Sequence, residues 1–235
     1  MYIILTSANA FSVPLNPVAF FPLNGQYETT DISHSHNLQG NASGVELAPG
    51  PDGSMGGSYQ YSGNLGSFLH FPNNGGLDTR YSMTLLAWIY HEQTSEGPIF
   101  CYDGPAENGI RFILTEDGRF RAILRSSNFS HLKTLTSGIL EPKTWHFVAA
   151  SYNYVNGECI LWINGSIYNK KVIDSPSELA TQQSVIMGAV PEQAEKYKGR
   201  ISCVQLYDRV LTELEIEEAK QSCFTVGECI LSNTF

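Results

Sequence analysis

Apolar and polar positions alternate along much of this chain in short runs, the two-residue period of half-buried strands. In Ile110–Leu114, Ile110, Phe112 and Leu114 fall on one face and Arg111 on the other. In Phe120–Arg125, Phe120, Ala122 and Leu124 share a face, while Arg121 and Arg125 take the opposite one. Asp117-Gly118 between these runs predicts a hairpin. Further runs rich in β-branched and aromatic residues are Val18–Phe21, Tyr59–Tyr61, Phe68–Phe71, Met83–Tyr90, Gly97–Tyr102, Trp145–Tyr152, Glu158–Ile163, Val185–Gly188 and Arg200–Tyr207. Turn residues separate them: Asn73-Asn74-Gly75-Gly76, Asp103-Gly104-Pro105, Asn156-Gly157 and Asn164-Gly165. The Gly-, Pro- and Ser-rich stretch Gln39–Gly57 reads as a loop inside the domain, and Gln221–Phe235 as a tail.

One segment has the helical signature. Thr212 and Glu215 form a capping box, Leu214, Ile216 and Ala219 give a partial apolar face, and Glu213, Glu215, Glu217 and Glu218 sit where the helix dipole favours acids. That acidic cluster is a solvated helix end rather than a catalytic site. Many short strands, frequent turns and one helix predict an all-β fold, a two-sheet antiparallel jelly-roll sandwich with one short C-terminal helix. Trp88, Trp145 and Trp162 lie in the three most apolar strands, and their rings are expected to fill the space between the sheets.

Composition narrows the classes. The formal charge is -9, from 14 Lys+Arg against 23 Asp+Glu, which argues against a nucleic-acid partner. The apolar runs are too short for a membrane span, and 235 residues fit one β-sandwich domain. Sequons occur at Asn41, Asn128 and Asn164 and mark candidate N-glycosylation sites; Asn164-Gly165 also suits a tight turn. Five cysteines contain no Cys-x-x-Cys, so disulfides are favoured over zinc or redox chemistry, with buried free thiols as the alternative. The apolar start with Ala8-Asn9-Ala10 reads as a signal-peptide remnant or an ordinary lead-in segment over 1–15. These features predict a secreted, extracellular protein. His34-Ser35-His36 lacks the partners a zinc site requires.

The order of segments resembles laminin-G-like and pentraxin-like domains of the concanavalin-A-like lectin superfamily. Asn16–Gly25 is similar to their first strand, Tyr81–Tyr90 with its Ala87-Trp88 pair to their central signature, and Thr144–Tyr152 to the strand that follows. Cys159–Gly165 resembles the next hairpin, and Gly199–Thr212 with Glu215-Ile216 the closing strand and helix. The resemblance covers residues 16–223 and leaves 224–235 as a tail. It implies a disulfide between Cys203 and Cys223. Cys101 with Cys159 is a second expected pair, which leaves Cys229 unpaired. It also implies calcium ligands at Glu107, Asn108, Glu192, Gln193 and Glu195, although Ala194 stands where a further acid belongs. Two readings therefore stand for these loops: one calcium ion, or a plain solvated surface.

Catalytic motifs are missing. No strand carries Glu-x-Asp-x-Glu, and neither Gly-x-Ser-x-Gly, a phosphate loop nor His-Glu-x-x-His occurs. The expected function is a non-enzymatic recognition module for glycans or extracellular-matrix proteins, with calcium assistance left open. The alternative is a structural acidic glycoprotein of an extracellular matrix or biomineral layer.

Overall fold

The computed structural model describes residues 15–92, 95–103, 109–190 and 195–225. In chain order the strands are β1 (Ala19–Phe21), β2 (Asn41–Ser43), β3 (Val45–Ala48), β4 (Ser58–Ser62), β5 (Phe68–Phe71), β6 (Ser82–His91), β7 (Gly97–Tyr102), β8 (Arg111–Leu114), β9 (Arg119–Arg125), β10 (His131–Ile139), β11 (Trp145–Asn153), β12 (Glu158–Ile163), β13 (Ser166–Val172), β14 (Val185–Met187) and β15 (Lys198–Tyr207). One helix, α1 (Glu213–Thr225), follows. An eight-stranded sheet runs β13-β12-β11-β6-β15-β4-β3, with β1 added beside β15, and a seven-stranded sheet runs β10-β9-β8-β7-β14-β5-β2. All pairings between these strands are antiparallel.

The alternation visible in the sequence sets which face is buried. Phe112 and Leu114 of β8, and Phe120, Ala122 and Leu124 of β9, enter the core between the sheets. Met83, Leu85, Ala87 and Ile89 of β6 meet them from the other sheet. Aromatic contacts run through this core: Phe21 on Phe71 at 4.3 Å, Phe100 on Tyr102 at 5.5 Å and on Phe112 at 6.4 Å between ring centroids. The β12–β13 connection is the two-residue turn Asn164-Gly165, with φ 55° and 89°, the left-handed pair that Asn-Gly tolerates best.

The tryptophans correct one expectation. Because residues 83, 85, 87 and 89 face the core, residues 84, 86, 88 and 90 must face outward. Trp88, Trp145 and Trp162 accordingly lie on the outer face of the eight-stranded sheet, not between the sheets. There Leu86, Phe147, Ala149, Ile160, Trp162 and Tyr207 form a second, smaller core with Leu211, Ile216 and Ala219 from the α1 region. Trp88 packs on Phe147 at 5.5 Å and on Phe224 of α1 at 5.7 Å. Helix burial thus accounts for Trp88 and Trp162, which a two-layer picture assigns to the middle, while Trp145 lies beside that helix-covered core. Burying one such ring stabilises the fold by about 2 kcal/mol.

Polar bonds fix the helix against the sheet. The Gln205 amide donates to the Ala219 carbonyl at 2.9 Å, and its oxygen accepts from the Tyr207 hydroxyl at 2.6 Å. Thr84 donates to the Arg209 carbonyl at 2.7 Å and accepts from the Leu211 amide at 3.1 Å. The capping box forms as expected: the Thr212 amide donates to Glu215 Oε2 at 2.8 Å, and the Glu215 amide donates to Thr212 Oγ1 at 3.3 Å. Leu214, in contrast, is 84% exposed, so the apolar face consists of Ile216 and Ala219 without it.

Other differences concern exposed strands. The stretch Gln39–Gly57 contains β2 and β3, and the sequence reading also passed over β10 and β13. All residues of β2 are exposed, and β13 is exposed at six of seven positions, so no apolar alternation announces them. The helix continues through Thr225, so Gln221 belongs to it and not to a tail.

Candidate ligand-binding surface

Cys203 and Cys223 are bonded, joining β15 to α1 as the resemblance implies. Cys101 and Cys159 are not a pair. They lie on β7 of the seven-stranded sheet and β12 of the eight-stranded sheet, and both are buried free thiols. Burial pushes the Cys101 thiol up to about 11 and the Cys159 thiol up to about 12, so neither is ionised near neutrality. Cys229 lies outside the described residues. The sequon residues Asn41, Asn128 and Asn164 are all exposed.

Of the expected calcium ligands, Glu107, Asn108, Glu192 and Gln193 lie outside the described residues. Glu195 is described, and its carboxylate is engaged by the guanidinium of Arg111. Among the described residues no cluster of three or more His, Cys, Asp or Glu gathers to hold a metal. Glu195 is thus the one member of the expected set that the structure describes, and it is held in an ion pair. His34 and His36 are exposed on a loop organised by Asp31, which accepts from the amides of Phe20 at 2.7 Å, Ser33 at 2.9 Å and Asn37 at 2.9 Å.

Three surfaces carry functional side chains. The first is the outer face of β8 and β9, where Arg111, Arg119, Arg121 and Arg125 project. Its charge is largely matched from within: Arg111 meets Glu195, Arg119 meets Asp117 at 2.8 Å, and Arg121 acts on Glu96 and Asp117. The second is a cleft of about 870 Å³ bordered by Val18, His34, Asp208, Arg209 and Glu215. There Arg209 and Glu215 pair at 2.7 Å, so its principal charges satisfy each other.

The third surface is the stretch of the eight-stranded sheet beside the helix-covered core. The register aligns one row across five strands: Trp145 opposite Tyr90, Tyr90 opposite Arg200, Arg200 opposite Gln60, and Gln60 opposite Glu46. Directly opposed residues project to the same side of a sheet. The Trp145 and Tyr90 rings sit 5.6 Å apart, and the Arg200 guanidinium carbon lies 4.6 Å from the Tyr90 ring centre. Arg200 Nε donates to Gln60 Oε1 at 3.0 Å, and Nη1 donates to the Pro49 carbonyl at 3.4 Å. The Gln60 amide nitrogen donates to the Tyr61 and Gly199 carbonyls at 3.1 and 3.0 Å, which fixes that side chain in turn. Trp145, Tyr90, Arg200 and Gln60 are half-buried, and Glu46 is exposed. From Trp145 to Gln60 the row crosses three strand spacings, about 14 Å. It is a positioned strip of two aromatic faces, a cation and an amide. The period-two pattern of β6 held the signal for it, since an outward Trp88-x-Tyr90 pair follows from an inward Met83, Leu85, Ala87 and Ile89.

Known structures share this architecture. The binding domain of botulinum neurotoxin serotype D aligns with a TM-score of 0.70 at 16% identity, over 88% of this chain and 51% of that one. The binding domain of Paraclostridial Mosquitocidal Protein 1 aligns at 0.71 and 16%, over 88% and 52%. The botulinum neurotoxin serotype D ligand-binding domain in complex with N-acetylneuraminic acid aligns at 0.71 and 15%, over 88% and 51%. The chain thus spans about half the length of these structures, and the likeness is one of fold. No curated protein matches it by sequence. No described helix is long and apolar enough to cross a membrane. The family model of the concanavalin A-like lectin/glucanases superfamily matches residues 62–217, which contain β6, β11, β12, β15 and the start of α1, and the chain belongs to that family.

Proposed function

We propose that this domain is a secreted, non-enzymatic recognition module that binds glycans on the row Trp145–Tyr90–Arg200–Gln60. The observation that carries the reading is the aromatic pair held beside a fixed guanidinium and amide on an open sheet face. Sugar rings present C–H edges that an electron-rich aromatic face attracts, while hydroxyls need directional donors and acceptors. The row offers both within one strip. The relatives support the same class, since similar folds serve as binding domains and one is bound to a sugar, N-acetylneuraminic acid. An extracellular setting is supported by the Cys203–Cys223 bond and by three exposed sequons.

A glycan array probed with the glycosylated domain and with Trp145→Ala tests this. The proposal expects defined glycan signals that persist in a calcium chelator, because the row contains no metal site. It expects Trp145→Ala to weaken them about tenfold, the factor that about 1.4 kcal/mol represents. An array with no signal, together with adsorption to matrix or mineral, would replace this reading with the structural-glycoprotein alternative.

A further inference from the structure

We infer that the sugar recognised on this row carries a carboxylate, and that Arg200 receives it. The inference rests on the glycan reading above and specifies its ligand class. Arg200 forms no ion pair among the described residues, in a chain whose net charge is -9. Its Nε is taken by Gln60 and its Nη1 reaches only the Pro49 carbonyl at 3.4 Å, so Nη2 is left for an incoming acceptor. The guanidinium does not swing freely, because it is held over Tyr90 and tethered to Gln60. A planar guanidinium matches a carboxylate in shape as well as in charge.

The surroundings favour a single negative charge over a polyanion. Lys198 shares the outward parity of Arg200 two residues away, but Glu46 occupies the same row beyond Gln60, and the chain as a whole carries a net charge of -9. One tethered guanidinium with Nη2 open and an acid further along its row suits a monosaccharide acid whose ring lies on Tyr90 and Trp145. Sialic acids and uronic acids share that chemistry: a pyranose ring with an attached carboxylate.

The test titrates the folded domain by NMR with methyl glycosides of N-acetylneuraminic acid and of glucuronic acid, the methyl ester of each, and neutral methyl glucoside. The expected result is at least tenfold tighter binding of the acid than of its ester, weakening as salt is raised. In Arg200→Gln the acid-to-ester ratio falls to about one, and Arg200→Lys recovers part of it; near-ultraviolet circular dichroism checks that both variants fold. The two acids show which source the site prefers. Equal binding of acid and ester overturns the inference and leaves the glycan reading standing. A sulfated sugar or a peptide carboxylate that binds more tightly than either sugar acid also overturns it. If none of the five sugars binds while the array is also blank, the glycan reading itself has failed.

Discussion

The Arg200 guanidinium carbon lies 4.6 Å from the centre of the Tyr90 ring, and the two residues are direct cross-strand partners of β15 and β6. The contact orders a cation on a surface where a free arginine would otherwise sample many rotamers. A double-mutant cycle of Arg200→Gln and Tyr90→Leu should report a coupling of about 0.5–1 kcal/mol by urea unfolding. Strictly additive effects would show that the two side chains merely lie near each other.

The sandwich, the closing helix and its cap were readable because their signals are local. Alternation in β8 and β9 assigned both faces of each strand correctly, and Thr212 with Glu215 marked the helix start. The tryptophans were misplaced because a large apolar ring signals burial without saying in which layer. Only the period of β6, taken together with a helix folded back on the outer face, resolves that. The row itself was not visible in any one segment. Its members come from residues 46, 60, 90, 145 and 200 and meet only through register. β2 and β13 escaped notice because edge strands with exposed faces have no apolar period to display.

The disulfide joins Cys203 to Cys223 across 20 residues and anchors α1 over Trp88. A loop of that length corresponds to about 3 kcal/mol in the chain-entropy picture. The double replacement Cys203→Ser/Cys223→Ser should lower stability by about that amount in chemical unfolding, and non-reducing peptide mapping should return the Cys203–Cys223 peptide pair. A Cys203–Cys229 peptide would refute the pairing.

The remaining buried thiols should be silent in the folded state. Cys101 and Cys159 are buried, and burial raises both well above the ordinary thiol range. Alkylation followed by peptide mapping should leave both unlabelled at pH 7.5 and label both in denaturant. Rapid native labelling of either would mean that its sheet opens locally.

Glu215 makes stability depend on acid. Its hydrogen bond to Arg209, backed by the Thr212 amide and hydroxyl, lowers the carboxyl from an ordinary 4.5 to about 2. A lowered folded-state value stabilises the protein above the unfolded value, and that contribution disappears as pH falls from about 4.5 towards about 2. Glu215→Gln should therefore be less stable than the native chain at pH 6, and the difference should shrink through that window. A pH-independent difference in urea midpoint would exclude this linkage.

Glycan binding on the outer face of the eight-stranded sheet can be read in the native protein from the indole N–H signals of the three tryptophans. The Trp145 signal is assigned by comparison with Trp145→Phe, and the domain is titrated with a glycan selected on the array. The Trp145 indole and the Arg200 and Gln60 amides should shift together and saturate with binding, while the Trp162 indole beneath the helix stays in place. Saturable binding that leaves Trp145 unmoved, and shifts the amides of Arg111 and Arg121 on the other sheet instead, would contradict it.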